Sequence, residues 1–314
     1  MPAGKDRESG GHFLPLTWTA EMTLSHLAEA GDADAAALFE RLGLHGEDII
    51  DSPSNIVSPE YRLARTVFLN TRCLVTDALA ALTKAALFVE LPCGLSPRGL
   101  RYAREKKPYL GVDLPPVAKS ISNVLLPMVD EESRPFVRYK AADATDPDAL
   151  LSAAGEGEGE ICIITEGLLM YFSEDETDRF FEGIRRLLDK RGGCLVTADP
   201  EMSLHNFLTL RAICGDSFSE VIRKGFQRKP VRTGRTLPER PKEPGPLLIE
   251  LSGDIKAQID RAISFLSQHG LQAYRMPVSV MLQEPVLPGM LTPAQSEAVN
   301  EALENVSCWI ITLE

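Results

Sequence analysis

The chain has 314 residues, 44% of them hydrophobic and 25% charged, an ordinary soluble composition with ample length for a large core. Aromatic residues make up only 6% and the formal net charge is −12, which disfavours an aromatic groove for single strands and repels phosphate backbones. The six cysteines form no C-x-x-C pair and no histidine stands at zinc-finger spacing from them, so neither a disulfide scaffold nor a structural metal is expected, and their usage fits a reducing compartment.

In chain order, Met1 to Gly11 is polar, lacks the apolar core of a signal peptide and is expected to be disordered. No apolar run reaches the length of a membrane span, so the expectation is a cytoplasmic protein with no membrane partner. From Thr19 to Leu42 apolar residues recur at helical spacing, and Gly31-Asp32 splits the segment into two helices. Pro59 opens a longer helix over Glu60 to Thr83.

Strands and helices then alternate. Ala86–Leu91, Tyr109–Asp113, Phe136–Ala141, Ile161–Thr165 and Cys194–Ala198 read as strands. Between them, Pro97–Lys106, Pro116–Met128, Asp146–Ala153 and Glu174–Asp189 read as helices, the last with a capping box formed by Ser173 and Glu176. Such βα units in succession predict a doubly wound α/β fold with a mostly parallel sheet and helices on both faces. After Pro200 the rhythm breaks. Glu201–Phe226 is predicted helical, Arg228–Gly245 is a Pro- and Lys/Arg-rich loop, and Asp254–His269 is a helix. Leu271–Met276 is a strand, Pro293–Leu303 a helix and Ser307–Leu313 a last strand. No repeat or dividing linker is visible. One domain is expected, with residues 1–85 as a helical cap region, 86–314 as the α/β core, and a cap insertion at about 200–253. The basic stretch from Arg223 to Arg240 reads as a solvated loop or as an interaction surface.

In an open α/β sheet, ligands bind beyond the carboxyl ends of the strands, where strand order reverses. Chemistry is therefore expected in the loops that follow each strand. After the first strand, Gly94 suits close approach of a nucleotide-like ligand, and Arg98 in the first helical turn suits a two-pronged hold on a carboxylate; a plain turn with a solvated arginine reads equally from these residues. A dinucleotide fingerprint would need glycines at 92, 94 and 97, where the chain has Pro92, Gly94 and Pro97, which disfavours a nicotinamide oxidoreductase. After the second strand, Asp113 stands 19 positions beyond Gly94, at the strand end where a carboxylate accepts from both hydroxyls of a ribose; the alternative is an acidic helix cap. Asp143 follows the third strand and suits an adenine amino group, while Asp146 suits a helix cap. Glu166 ends the apolar fourth strand, where a carboxylate needs a partner such as a ligand ammonium.

The segments VELPCGLSPRG, YLGVDLPPVAKS, KAADATDPDAL and ITEGLLMYFSEDE together resemble the leucine carboxyl methyltransferases, most closely the bacterial polyketide O-methyltransferases of the tetracenomycin type. The similarity runs from about Asn70 to Asp199. It implies a class I fold with a seven-stranded sheet whose last strand is antiparallel, S-adenosylmethionine as donor, and a small-molecule carboxylate as acceptor; the acidic charge disfavours a nucleic-acid partner, and the sequence shows no metal constellation. It also implies residue roles. Arg72 grips the donor's carboxylate, and Pro92, Gly94 and Arg98 form the donor loop. Asp113 with Leu114 holds the ribose, Asp143 with Ala144 faces the adenine, and Glu166 with Gly167 faces the methionine ammonium. Tyr171 lies near the methyl-transfer end. Pro92 stands where the family has glycine; proline fixes φ and removes an N–H, which leaves open a binding protein that keeps the donor without transferring from it. The resemblance leaves the oligomeric state open between monomer and homodimer.

Overall fold

A computed structural model describes residues 15–44, 58–221, 241, 245–282 and 284–314. The predicted disordered N-terminus and the basic stretch from Arg223 to Arg240 lie outside the described residues. The elements are α1 Pro15–Glu29, α2 Ala33–Arg41, α3 Pro59–Leu82, β1 Leu87–Glu90, α4 Arg98–Arg104, β2 Tyr109–Asp113, α5 Pro115–Leu125, β3 Val137–Ala141, α6 Pro147–Ala154, β4 Ile161–Thr165, α7 Glu174–Arg191, β5 Gly193–Thr197, α8 Met202–Cys214, α9 Ile255–Gln268, β6 Leu271–Pro277, α10 Pro293–Glu304 and β7 Ser307–Leu313. Single helical turns follow α5 and β6.

The strands form one sheet in the order β3-β2-β1-β4-β5-β7-β6. β1 to β5 pair in parallel, and β7 runs antiparallel to both β5 and β6. This is the doubly wound, mostly parallel seven-stranded sheet with an antiparallel last strand that the sequence predicts. The chain winds outward from β1 to β3 and then returns to place β4 on the other side of β1, so the switch point lies between β1 and β4.

Strand periodicity divides the core into two layers, because successive side chains point to opposite faces. Phe88, Cys162, Ile164, Cys194, Val196 and Cys308 face a layer built with α3, α4, α5, α8 and α10. Leu87, Val89, Ile161, Ile163, Leu195 and Trp309 face the other, built with α6, α7 and α9. Both faces are covered, which is why these strands read as nearly continuous apolar runs. All six cysteines are buried and unpaired. No helix among the described residues is long and apolar enough to cross a membrane.

The helix boundaries follow local chemistry. Asp32 caps α2 by accepting from the Asp34 and Ala35 N–H groups, so Gly31-Asp32 is the predicted break. Ser58 caps α3, with Pro59 at its first position. The Ser173–Glu176 capping box opens α7, whose acidic first turn and basic last turn match its dipole. Asp146 caps α6, as expected. The helix predicted over Glu201–Phe226 is interrupted after Cys214, where Gly215 adopts φ +50° and opens a tight turn over Gly215–Ser217; residues 218–221 are helical again, and the rest of the predicted span lies outside the described residues.

The start of α8 is tied to the far sheet edge by a carboxylate. Glu201 is 1% exposed and accepts from Arg275 Nε at 2.7 Å, Trp309 Nε1 at 2.8 Å and the Ser307 N–H at 2.9 Å. Glu201→Ala would strand two buried donors, Trp309 Nε1 and Ser307 N–H. We expect a loss of about 2–4 kcal/mol, read as a lowered urea midpoint. An unchanged midpoint would mean that those donors find other partners.

Candidate active site

The loops after β1, β2, β3 and β4 converge on one cavity of about 720 Å³, roofed by α1, α3 and α8. That volume lies within the range for small-molecule sites. Arg72, Pro92, Gly94, Arg98, Asp113, Leu114, Asp143, Ala144, Glu166, Gly167 and Tyr171 all line it. Residues separated by up to a hundred positions in sequence thus meet at the switch point.

The carboxylate that ends β2 shapes the loop after β1. Asp113 accepts from the Gly94 N–H through one oxygen and from the Leu114 N–H through the other, both at 2.8 Å. Gly94 has φ +48°, and a Cβ there would lie 3.3 Å from Ala20 of α1, so glycine serves both the turn and the close approach of the roof. Burial raises the Asp113 pKa, partly offset by the two N–H groups. Each Asp113 oxygen keeps a lone pair for a ligand donor. Ser96 Oγ accepts from the Arg98 N–H at 3.2 Å and so starts α4. Pro92 lines the cavity beside Gly94. Asp143 is exposed at the cavity edge and accepts from the Thr145 N–H and hydroxyl at 2.8 Å.

The loop after β4 is held by a residue the sequence reading did not single out. Asp199, two residues past the end of β5 and fully buried, accepts from the N–H groups of Gly167, Leu168 and Leu169 at 2.6, 2.8 and 2.9 Å. It fixes the turn in which Gly167 adopts φ +71°. The available signal was positional: like Asp113 and Glu166, Asp199 is an acid near the carboxyl end of a strand, though its use in holding the loop is not readable from that.

Glu166 sits between two arginines. Its Oε2 accepts from Arg72 Nε at 3.0 Å, and its Oε1 accepts from Arg98 Nη2 and the Thr76 hydroxyl. Burial pushes its pKa up, but the charges of Arg98 and Arg72 and the hydrogen bonds from Thr76 and Arg98 outweigh it, and the group falls to about 2. Glu166 therefore already has the cationic partners that its strand-end position demanded. A carboxylate offers about four acceptor sites, so one on Oε2 stays open to a ligand.

The structure changes the reading of Arg98. Its guanidinium is 2% exposed and turned onto Asp77, Glu90 and Glu166, with Nη2 also donating to Thr76 Oγ1 at 2.8 Å. The fork expected to hold a ligand carboxylate is here turned onto three protein carboxylates. Arg98 is instead the hub of an ionic chain. Asp77 also accepts from Arg101, which reaches Asp32 at the start of α2, so the chain joins the helical roof to the strand ends. Glu90 at the end of β1 accepts from Arg98 and from the Tyr109 hydroxyl, and burial raises its pKa.

Arg72 is the arginine better placed toward a ligand. Beyond its Nε bond to Glu166, its Nη1 reaches the Met202 sulfur at 3.6 Å and its Cζ lies 5.7 Å from the centre of the Phe68 ring. Both Nη atoms lie beside Gly167, within 4.0 Å of where a Cβ would stand.

The roof supplies the rest of the wall. Arg65, Phe68 and Leu69 come from α3, Asn206, Phe207 and Leu210 from α8, and Met170 and Tyr171 from the β4 loop. Among these the sequence offers Tyr171 as a site residue and Met170 as apolar packing, either around a site or in the core; the helical spacing of Arg65, Phe68, Leu69 and Arg72 marks one face of α3 and was the available signal for the rest. Among the described residues no histidine lines the cavity. His205 lies behind it, hydrogen-bonded to Thr71, and burial followed by the nearby Arg72 charge lowers it to about 3. Among the described residues no group of three or more His, Cys, Asp or Glu side chains is arranged for a metal ion.

No protein-family model and no curated protein matches the chain. Among solved structures it is similar to the methyltransferase domain of a bacterial Hen1, at 12% identity over 78% of this chain and 99% of that one, with a TM-score of 0.47. It is similar also to magnesium protoporphyrin IX methyltransferase from Synechocystis PCC 6803 with bound SAH, at 12% identity over 83% of this chain and 88% of that one, TM-score 0.41. A third is the glycopeptide N-methyltransferase MtfA complexed with S-adenosylmethionine, at 11% identity over 76% of this chain and 87% of that one, TM-score 0.42. At these identities and TM-scores the functional reading rests on the chain's own residues.

Proposed function

We propose that the protein is an S-adenosylmethionine-dependent O-methyltransferase acting on a carboxylate of a small molecule, as its resemblance to the leucine carboxyl methyltransferases implies. The observation that carries this reading is the cavity at the switch point, where Asp113, Asp143 and the Arg72–Glu166 pair line one wall and an apolar roof faces them.

The residues present fit the donor. Gly94 and Gly167, both at positive φ, let the backbone approach closely, and the free acceptor sites of Asp113 suit the two ribose hydroxyls. Asp143 with Ala144 borders the place for an adenine. Arg72 and the open site on Glu166 suit the carboxylate and ammonium of an amino-acid moiety. Bound there, S-adenosylmethionine supplies a methyl group on a sulfonium, and its sulfur keeps the electron pair when the methyl moves to an acceptor oxygen.

The chain's own part is positioning. Holding two reactants in line can supply about 7–11 kcal/mol of a barrier, and α1, α3 and α8 screen the cavity from water. A carboxylate acceptor ionises near pKa ~4, so no proton needs removal. The Glu166 carboxylate in the cavity wall, at about 2, is too weak a base for a phenol.

The experiment is methyl transfer to a panel of aromatic and polyketide-like carboxylic acids, with ester formation read by mass spectrometry from pH 6 to 9. Turnover that is flat across this range is expected. A rate rising tenfold per pH unit would instead identify an acceptor that must first be deprotonated, and no ester from any acid would remove the carboxylate reading.

A further inference from the structure

The roof helix α8 meets the cavity along one face, where Ser203, Asn206, Phe207 and Leu210 recur at helical spacing. Met202, one turn before Asn206, touches Arg72 through its sulfur at 3.6 Å, so this face begins at the donor end. Asn206 lies about 6 Å further along at 1.5 Å per residue. It brings an amide to a stretch of wall otherwise built from apolar side chains, among them Leu69, Phe207 and Leu210.

The neighbouring helix fixes how that amide points. Asn206 Oδ1 accepts from Arg65 Nη1 of α3 at 2.9 Å. A guanidinium offers N–H donors and no acceptor, so the amide oxygen must face it and Nδ2 must turn away. Arg65 is a firm anchor: its Cζ lies 5.3 Å from the centre of the Phe68 ring, and it makes a further contact besides. Among the described residues Nδ2 meets no acceptor, and it is not sealed in the interior. The wall therefore holds a neutral, oriented hydrogen-bond donor with both N–H groups unused. An oxygen on a ligand that meets it costs little further loss of side-chain freedom, and the surrounding apolar side chains suit a ring-bearing body.

We infer that Asn206, oriented by Arg65, binds the acceptor by donating from Nδ2 to one carboxyl oxygen of an apolar, ring-bearing acid. This deepens the proposed function and rests on it for the identity of the reaction. The second carboxylate oxygen stays free to form the bond to the methyl carbon while the sulfur–carbon bond breaks toward sulfur. No proton moves, and the carboxylate becomes a neutral ester. An amide N–H donates to a carbonyl oxygen as well as to a carboxylate, so the ester keeps this hydrogen bond in the weaker form that a neutral acceptor gives.

The test titrates 2-naphthoate and methyl 2-naphthoate by calorimetry into the full chain, with and without saturating S-adenosylhomocysteine. Asn206→Asp is the deciding variant, because it keeps an oxygen for Arg65 Nη1 and removes only the N–H groups. In Asn206→Asp the acid is expected to bind about tenfold or more weaker and the ester about threefold or more weaker, with affinity for S-adenosylhomocysteine unchanged. If Asn206 serves only to hold Arg65, both probes should bind the variant as they bind the unaltered protein, and that result would overturn the proposal. So would loss of the acid alone with the ester unaffected, which repulsion by the new carboxylate explains without a lost donor. Failure of the unaltered protein to bind the acid, or a fall in S-adenosylhomocysteine affinity in the variant, would overturn it too. Should S-adenosylhomocysteine fail to bind the unaltered protein while both probes bind and depend on Asn206, the acid site would stand and the transferase reading would fall.

Discussion

Arg98→Met is expected to cost about 3–5 kcal/mol of stability at pH 7, the range for removing one partner of a buried ionic cluster. The physical cause is the company Arg98 keeps. Its guanidinium faces Asp77, Glu90 and Glu166, and methionine would leave these carboxylates near one another with their main counter-charge gone. The pH dependence has a definite sign. Glu166 falls from its ordinary value to about 2 in the folded protein, so its contribution is fully present above the unfolded value of about 4.3 and is lost as pH falls toward 2. Without Arg98 the cluster binds protons more readily folded than unfolded, and such groups lose stability as pH rises. The gap between the two proteins should therefore be widest at neutral pH and narrow toward pH 4. Urea unfolding at pH 7, 5.5 and 4 reads it directly. If Arg98→Met does not fold at pH 7, the pair Arg98→Met with Glu90→Gln should recover folded protein by removing one of the stranded charges. A gap that is the same at all three pH values would contradict the hub.

Asp113→Ala carries the second large effect, on binding rather than folding. Two hydrogen bonds from ribose hydroxyls to a carboxylate, at about 1.5–3 kcal/mol each, set the expected loss in S-adenosylhomocysteine affinity at about a hundredfold or more. Asp113 also fixes the Gly94 and Leu114 N–H groups, so the variant loosens the loop as well as removing the acceptor. Asp113→Asn separates the two effects, because an amide keeps one acceptor oxygen and one backbone bond; it should bind better than the alanine variant and worse than the unaltered protein. A folded Asp113→Ala that binds as tightly as the unaltered protein would place the ribose elsewhere.

The contrast between Asp113 and Arg98 explains how much of the site was legible in the sequence. β2 and β4 are found where their apolar runs predict, and each ends in, or runs directly into, an acid. Buried strands are short and apolar, and the residue that leaves the sheet faces the crevice, so Asp113 and Glu166 could be read as candidates from position alone. Partners could not. Arg98 meets Asp77 across 21 residues and Glu166 across 68, and no local pattern records which carboxylate an arginine turned inward will find. The same holds for Arg65, whose Asn206 partner lies 141 residues away on a different helix. Asp199 was missed for a different reason: its role is to hold backbone N–H groups of the neighbouring loop, a structural use that residue type alone does not announce. The break after α8 shows apolar periodicity running through Gly215, whose backbone leaves the helix before residues 218–221 become helical again.

The donor site is the centre of this reading, and titration of the protein with S-adenosylmethionine and S-adenosylhomocysteine by calorimetry, with NAD as control, tests it most directly. Saturable binding of the first two without NAD binding is expected, since Asp113, Arg72 and Glu166 line a cavity whose loop lacks the dinucleotide glycines. A folded protein that binds neither would contradict the donor site and, with it, the transferase.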